Sequence, residues 1–396
     1  MVLIRRSIQQ TLKLVSKRLP WREPVLITTT DTALALSTLC QEAAYKKVLL
    51  FTDQTLVALP KTQALIDTLK HSIHVRVIQD VTPNPTTDYV EGLLASHQDI
   101  EWDALIALGG GSVIDVAKAF AVRLAKPHKS LYAMRGLLKV RKTLRPLIAI
   151  PTTAGSGSEA TVAAVLTDTQ RQRKFAITDL SLIPKYAILD PTWLIGLPAH
   201  IGAQTGMDAL THAIEALLSR SATPQSDGYA LEALTLIHEH LVASLQEPKP
   251  LESLTAMLKA SHYAGLAFTR AYVGYVHALS HPLSALYNTP HGLANAVLLP
   301  KVLRAYGDVI YPHLTRFNHH LGLSPSEEPL TFIDWIDTLS QQLKMPKTLP
   351  GLDAKDFSTL IRYAHQEVNP TYPVPRYLTD EEMMALYQSL MTKETL

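Results

Sequence analysis

From residue 48 to residue 189 the chain repeats one pattern: a short apolar run, a polar or turn residue, then a stretch of helical periodicity. The runs are 48–52 (VLLFT), 74–79 (HVRVIQ), 104–108 (ALIAL), 147–150 (LIAI) and 186–189 (YAIL). They end at Asp53, Asp80, Gly109, Pro151 and Asp190. Strands alternating with helices form βα units and a parallel sheet. Ligands of such sheets bind outside the carboxyl ends of the strands, so those endings are where contacts are expected. After about Ile195 the strand signals fade. Helical patterns follow at 206–218, 227–245 and 251–266, separated by Pro or Gly. The reading is α/β plus all-α: a Rossmann-like domain at 1–195, carrying an amphipathic helix at 1–20, and an all-helical domain at 196–396. A site is expected in the cleft between them.

Composition narrows the function. With 37 basic against 35 acidic residues the formal charge is +2, which gives no electrostatic support for nucleic-acid binding. No apolar run approaches the ~20 residues that span a bilayer. The single cysteine, Cys40, excludes an intrachain disulfide and a cysteine-based zinc site. Any metal must use His, Asp or Glu, and 16 histidines make that feasible.

The first 19 residues contain no acidic side chain. Ile4, Ile8, Leu12, Val15 and Leu19 recur at helical spacing, with Arg5, Arg6, Lys13, Lys17 and Arg18 elsewhere. Three readings fit: a helix packed on the body of the protein, an organellar (mitochondrial) transit segment, or a membrane-surface contact. The first, with a cytoplasmic location, is the expectation.

Gly109, Gly110, Gly111 and Ser112 follow the 104–108 run and open the helical string VIDVAKAFAVRLA. A glycine turn lets backbone N–H groups approach a pyrophosphate at a helix N-terminus. It is not G-x-G-x-x-G, and a tight strand-to-helix turn explains it equally. A second loop, Thr152 and Thr153 in PTTAGSGSE, offers small hydroxyl donors after the next run. Two such loops together point to a dinucleotide. Asp53 is either a helix N-cap or an acceptor for an adenosine ribose diol; in the second role it favours NAD over NADP.

Asp208 and His212 are four apart in GMDALTHAIEA, hence on one helical face. Such a pair is usually a surface pair. His277 and His281, also four apart, and His291 lie in apolar sequence, where each needs a partner. Carboxylate plus imidazole suits Fe²⁺ or Zn²⁺, although satisfied core histidines remain an alternative.

The strings GGGSVIDVAKA, PTTAGSGSEAT, LDPTWLIGLP, GMDALTHAIEA and VHALSHPLSALYNTPHGLANAVLLP, in this order, resemble the iron-containing (group III) alcohol dehydrogenase family. The likeness runs from about Val48 to Pro300. It implies a dinucleotide-binding domain followed by a helical metal-binding domain of the dehydroquinate synthase-like kind, a small-molecule alcohol or aldehyde substrate, and a homodimer. It carries metal ligation to Asp208, His212, His277 and His291, and places His281 beside the nicotinamide. Cofactor contacts carry over to Asp53, Asn84, Gly110, Gly111, Ser112, Thr152, Thr153, Lys174 and Leu194. The chain departs from the family at three places. A Gly-x-Gly turn is replaced by Ile27-Thr28-Thr29-Thr30-Asp31-Thr32, a small polar residue by Arg270, and Asn-Pro-Arg by Asn369-Pro370-Thr371 with a Pro-rich insertion before Arg376.

The chemistry implied is Lewis-acid polarisation of an alcohol with hydride transfer to nicotinamide. His281 either relays the proton or only packs against the cofactor. Arg270 either favours an anionic substrate or faces solvent. The rivals are a hydroxy-acid dehydrogenase or a lyase using NAD transiently on the same scaffold, a binding module that has lost its chemistry, and a metal-dependent hydrolase.

Overall fold

The computed structural model describes residues 2–16, 18–171, 173–323 and 328–392. Lys17 and the Val15 side chain thus lie outside the described residues. Two compact units emerge: Pro20–Leu197, and Met1–Leu19 together with Pro198–Leu396. The sequence reading grouped the N-terminal helix with the α/β part; the structure groups it with the helices.

That helix, α1 (Val2–Ser16), docks by its polar side chains. Arg6 donates to the carbonyls of Val374 (2.8 Å) and Pro375 (3.1 Å). Gln9 donates to those of Tyr372 (2.6 Å) and Pro370 (3.1 Å). Prolines lack the N–H of a backbone ladder, so this Pro-rich segment leaves carbonyls open to outside donors. Gln9 is buried, while Ile4 is 67% and Ile8 39% exposed, the reverse of an apolar face turned inward.

The unit Pro20–Leu197 begins β1 (Val25–Thr28), α2 (Thr32–Glu42), β2 (Lys47–Phe51), α3 (Gln54–Val57), α4 (Pro60–Lys70), β3 (His74–Ile78) and α5 (Thr87–His97). It continues β4 (Ala104–Gly109), α6 (Gly111–Ala125), β5 (Gly136–Leu137), β6 (Leu147–Pro151), β7 (Ala163–Asp168), β8 (Arg173–Thr178) and β9 (Tyr186–Leu189). Six strands form a parallel sheet in the order β1-β9-β6-β4-β2-β3. The five runs read from sequence are β2, β3, β4, β6 and β9. Alternate side chains enter opposite cores: Val48 and Leu50 pack with Leu36, Leu65 and Ile148, and Leu49 and Phe51 with Val113 and Phe120. Both faces are covered, which is why the runs are continuously apolar. The chain reverses direction across the sheet between β2 and β4, the crevice where ligands of open α/β sheets bind. A second sheet, β5-β8-β7, pairs β7 and β8 antiparallel.

In the helical unit, α7 (Ala199–Leu218), α8 (Pro224–His240), α9 (Leu251–Ala271), α10 (Tyr275–Tyr287) and α11 (His291–Tyr306) precede α12 (Tyr311–Leu321), α13 (Thr331–Gln342), α14 (Phe357–Val368) and α15 (Asp380–Gln388). Every residue of α7 from Gly206 to Leu218 is buried, so this part of the helix is enclosed on all sides, and α8, α9 and α11 pack on α7. Arg376 makes a two-pronged pair with Glu382 (2.9 and 2.7 Å) and donates to the Tyr306 carbonyl (3.1 Å). It thereby anchors the Pro-rich segment to the start of α15 and the end of α11. Among the described residues no helix is long and apolar enough to cross a membrane.

Candidate functional site

Asp208, His212 and Glu215 form one stripe on the enclosed helix α7, and all three are buried. His277 occupies the first turn of α10, and His291 begins α11 behind Pro290. Asp208, His277 and His291 offer ligand atoms within 4.8 Å of one another. His212 joins through His277, their Nε2 atoms 2.9 Å apart. Asp208 Oδ1 lies 3.9 Å from His277 Nε2 and 3.5 Å from His291 Nε2. Four ligands ~2.0–2.2 Å from one ion stand roughly 3.3–3.6 Å from each other, so the spacing fits a single divalent ion.

Glu215 and Asn295 support this set. Glu215 accepts from the backbone N–H of Gly274 (2.7 Å) and Val276 (2.7 Å) and from His277 Nδ1 (2.6 Å). With Nδ1 donating, His277 turns the lone pair of Nε2 toward Asp208 and His212, the form a metal requires. Burial, then the neighbouring His212, His291 and His281, hold the His277 pKa well below the usual range. The imidazole is therefore neutral. Asn295, fully buried one turn into α11, donates to Asp208 Oδ1 at 2.7 Å. Two glycines allow the close approaches. A β carbon on Gly274 would stand 2.8 Å from Glu215 Oε1, and one on Gly292 2.3 Å from the Gln204 carbonyl oxygen of α7.

His281 lies beside the cluster, its ring stacked on His291 with centroids 5.1 Å apart. Its Nδ1 pairs with Glu367 Oε1 at 2.5 Å, and Tyr372 donates to the same oxygen at 2.6 Å. Spacing could not separate His281 from His277; the partners do, one facing Glu215 and the other Glu367.

In the α/β unit the cofactor candidates gather at the carboxyl ends of the strands. Asp53 caps α3, its Oδ1 accepting from Leu56 N at 2.9 Å, which is the capping role weighed from sequence. Gly110 is the N-cap of α6, and Gly111 and Ser112 open its first turn. Thr152 donates its N–H to the Gly109 carbonyl (3.2 Å). A β carbon on Gly110 would lie 3.4 Å from Thr153 Oγ1, and one on Gly111 2.8 Å from Ser156 Oγ. The two loops therefore approach closely, and a side chain at 111 would have to displace Ser156. Asn84 adopts a left-handed conformation (φ 55°) and accepts from Lys174 Nζ at 2.7 Å, joining two candidates 90 residues apart. Leu194 is buried at the end of a short helix, Pro191–Leu194.

The family model described as iron-containing alcohol dehydrogenase matches residues 24–191, and that of the C-terminal part of the Fe-containing alcohol dehydrogenase family matches 202–391. The chain belongs to the iron-containing alcohol dehydrogenase family. It is 37% identical to 1,3-propanediol dehydrogenase of Klebsiella pneumoniae, over 88% of this chain and 92% of that protein. The crystal structure of a 1,3-propanediol oxidoreductase superposes with a TM-score of 0.88 at 33% identity, covering 93% of this chain and 99% of that one. Sulfoacetaldehyde reductase from Bifidobacterium kashiwanohense, solved with NAD⁺, gives a TM-score of 0.83 at 29% identity, covering 93% and 98%. As an iron-containing alcohol dehydrogenase the protein is an oxidoreductase of CH–OH groups, in a family that works with NAD and a metal.

Within this dehydrogenase, Arg270 does not face solvent. It is 7% exposed, donates to the Leu266 carbonyl (3.0 Å) and lies over the Tyr229 ring of α8. Phe268, two residues earlier, stacks on His212 from the other side of α9. Glu215, Asn295 and Glu367 were not read from the sequence. The first two share helical stripes with Asp208 and His291, a signal that could have found them. Glu367 lies 86 residues from His281 and carries none.

Proposed function

We propose that this iron-containing alcohol dehydrogenase oxidises small primary or secondary alcohols, diols included, with NAD, and reduces the matching aldehydes and ketones. Asp208, His212, His277 and His291 hold one Fe²⁺ or Zn²⁺. Gly110, Gly111, Ser112, Thr152 and Thr153 receive the phosphates and ribose, Asn84 and Lys174 border the cofactor, and Leu194 supplies an apolar contact. The observation that carries the reading is the 2.9 Å approach of the His212 and His277 Nε2 atoms beside Asp208 Oδ1. When bound, the ion supplies Lewis-acid polarisation of the alcohol and NAD accepts the hydride. Glu215 fixes the orientation of His277, and Asn295 that of Asp208. Asp53, with Oδ1 held by Leu56, places a carboxylate at the end of β2 that disfavours a 2′-phosphate, hence NAD over NADP. His281, oriented by Glu367, holds or passes the alcohol proton. The family resemblance further supports a homodimer or larger assembly, and an N-terminal helix held against the 370–375 segment favours a cytoplasmic location over a transit segment.

Protein reloaded separately with Fe²⁺ and Zn²⁺ tests this reading against a panel of primary alcohols, 1,2- and 1,3-diols and a hydroxy acid. NADH should form in stoichiometric amounts from alcohols. Product formation without net NADH would instead place the protein with lyases that regenerate NAD.

A further inference from the structure

Helix α1 lies outside the stretches matched by the two family models, the first of which begins at residue 24, yet it is built into the helical unit. Arg6, Gln9 and Lys13 stand at helical spacing and form one stripe. Arg6 holds the carbonyls of Val374 and Pro375, and the buried Gln9 holds those of Pro370 and Tyr372. Lys13 donates to the Arg220 carbonyl at 2.7 Å, and the Arg220 N–H donates to the Pro373 carbonyl at 2.8 Å. Five carbonyls between Pro370 and Pro375 are thus held by other parts of the unit.

One side chain of this segment reaches the site. The Tyr372 phenol donates to Glu367 Oε1, the same oxygen that pairs with His281 Nδ1. Burial first, then the charge of Glu367, raise the Tyr372 pKa well above its ordinary value, so the phenol keeps its proton and donates. Glu367 sits in the last turn of α14, where the helix dipole disfavours a carboxylate. Helix stability therefore does not account for a glutamate there. Two donors on one oxygen hold that carboxylate in place. With Nδ1 donating to it, His281 carries its lone pair on Nε2, the form that can take a proton.

We propose that Tyr372 and Gln9 are positioning residues for the proton step. Gln9 pins the backbone of Tyr372, the Tyr372 phenol fixes the Glu367 carboxylate, and that carboxylate sets the ring of His281. Helix α1 thereby acts on the reaction through the Pro-rich segment. The proposal rests on the reading above that His281 holds or passes the alcohol proton. The proton leaves the alcohol for His281 Nε2 while the hydride goes to NAD, so a misplaced ring slows this step without weakening binding. A displacement of about 1 Å in a positioning element can lower a rate by a factor of about 100.

First-turnover NADH formation, followed by stopped flow at saturating NAD and alcohol, tests it in wild type, Tyr372→Phe, Gln9→Ala and the double variant. Bound metal, thermal melting, the KM for alcohol and the Kd for NAD are measured alongside. Tyr372→Phe is expected to slow the turnover about tenfold and Gln9→Ala about two- to fivefold, with KM, Kd and metal content within about twofold of wild type. Because the two act in series, the double variant should be no slower than Tyr372→Phe. In Zn²⁺-loaded protein the His281 Nδ1 proton should give a deshielded NMR resonance, identified by its loss in His281→Gln, that shifts in Tyr372→Phe and Gln9→Ala. A folded, metal-loaded Tyr372→Phe with the wild-type rate overturns the proposal, as does an unshifted resonance. Losses that multiply in the double variant overturn the part given to α1. Should Tyr372→Phe fail to fold, a wild-type rate in Gln9→Ala overturns the proposal, and a slowed one with full metal supports it. A wild-type rate in a folded, metal-loaded His281→Gln would defeat the reading of His281 as proton carrier instead.

Discussion

His277 and Glu215 are joined by a 2.6 Å hydrogen bond from Nδ1 to Oε2 that decides which imidazole nitrogen is left for the cluster. The same carboxylate receives the N–H groups of Gly274 and Val276 at the start of α10. One side chain of α7 thus sets both the entry of α10 and the ring orientation of its histidine.

Glu215→Gln keeps the shape and puts an amide donor on one of the two oxygens that now only accept. Groups that orient a ligating histidine typically contribute 10- to 100-fold in metal affinity, so about that loss is expected. Competition with a chelator, followed by metal analysis, measures it. Wild-type affinity in a folded Glu215→Gln would remove this pair from the account.

Gly292→Ala adds a β carbon 2.3 Å from a backbone carbonyl of α7, which cannot swing aside as a side chain tip would. The N-terminus of α11 must move, and His291 with it. We expect a loss of about 1–3 kcal/mol in stability, as for other overpacked sites, together with weakened metal retention. Thermal melting with metal analysis would show an unaltered protein if the helices are not this close.

Asp53 serves as a helix cap whatever its role toward the cofactor. Asp53→Ser keeps a good cap and removes the charge, so stability should stay within about 0.5 kcal/mol. The preference for NAD over NADP, measured as the ratio of kcat/KM values, should fall about tenfold or more, equivalent to ~1.4 kcal/mol. An unchanged ratio leaves Asp53 as a cap alone.

Cys40 is 1% exposed on α2, packed beneath the sheet, and burial raises its thiol from 9.0 to about 11. The thiolate is the reactive form, so alkylation of the native protein by iodoacetamide should stay slow from pH 8 to 10. The folded state keeps a proton that the unfolded chain loses near pH 9. The contribution of this thiol to stability is therefore full below pH 9 and declines as pH rises toward 11. Mass spectrometry of the labelled protein, native and in urea, checks both states; fast native labelling at pH 9 would contradict the burial.

Much of the site was legible because it follows helical spacing. Asp208 and His212 are one turn apart on α7, and His277 and His281 one turn apart on α10, so periodicity placed each pair on a face. It could not say which faces meet, nor that His281 turns toward Glu367, since those partners lie far along the chain. Glu215 was passed over because a glutamate in a helix ordinarily faces water; only the all-round burial of α7 from Gly206 to Leu218 makes it internal. The central strands were legible because both faces are covered. β1 has four residues with Val25 exposed at the sheet edge, and β7 alternates buried with half-buried positions, so neither produced a run. Packing of α1 on the body of the protein was legible, but not the place where it docks, because Arg6 and Gln9 satisfy carbonyls of a Pro-rich segment more than 360 residues away.

The most direct test of the four-residue metal site measures bound metal per chain and NADH formation from an alcohol, side by side, in wild type and His277→Ala after reloading with Fe²⁺. The account expects one ion per chain and turnover in wild type, and loss of both in a His277→Ala protein that still folds. A metal-free His277→Ala enzyme that oxidises the alcohol at the wild-type rate would contradict it.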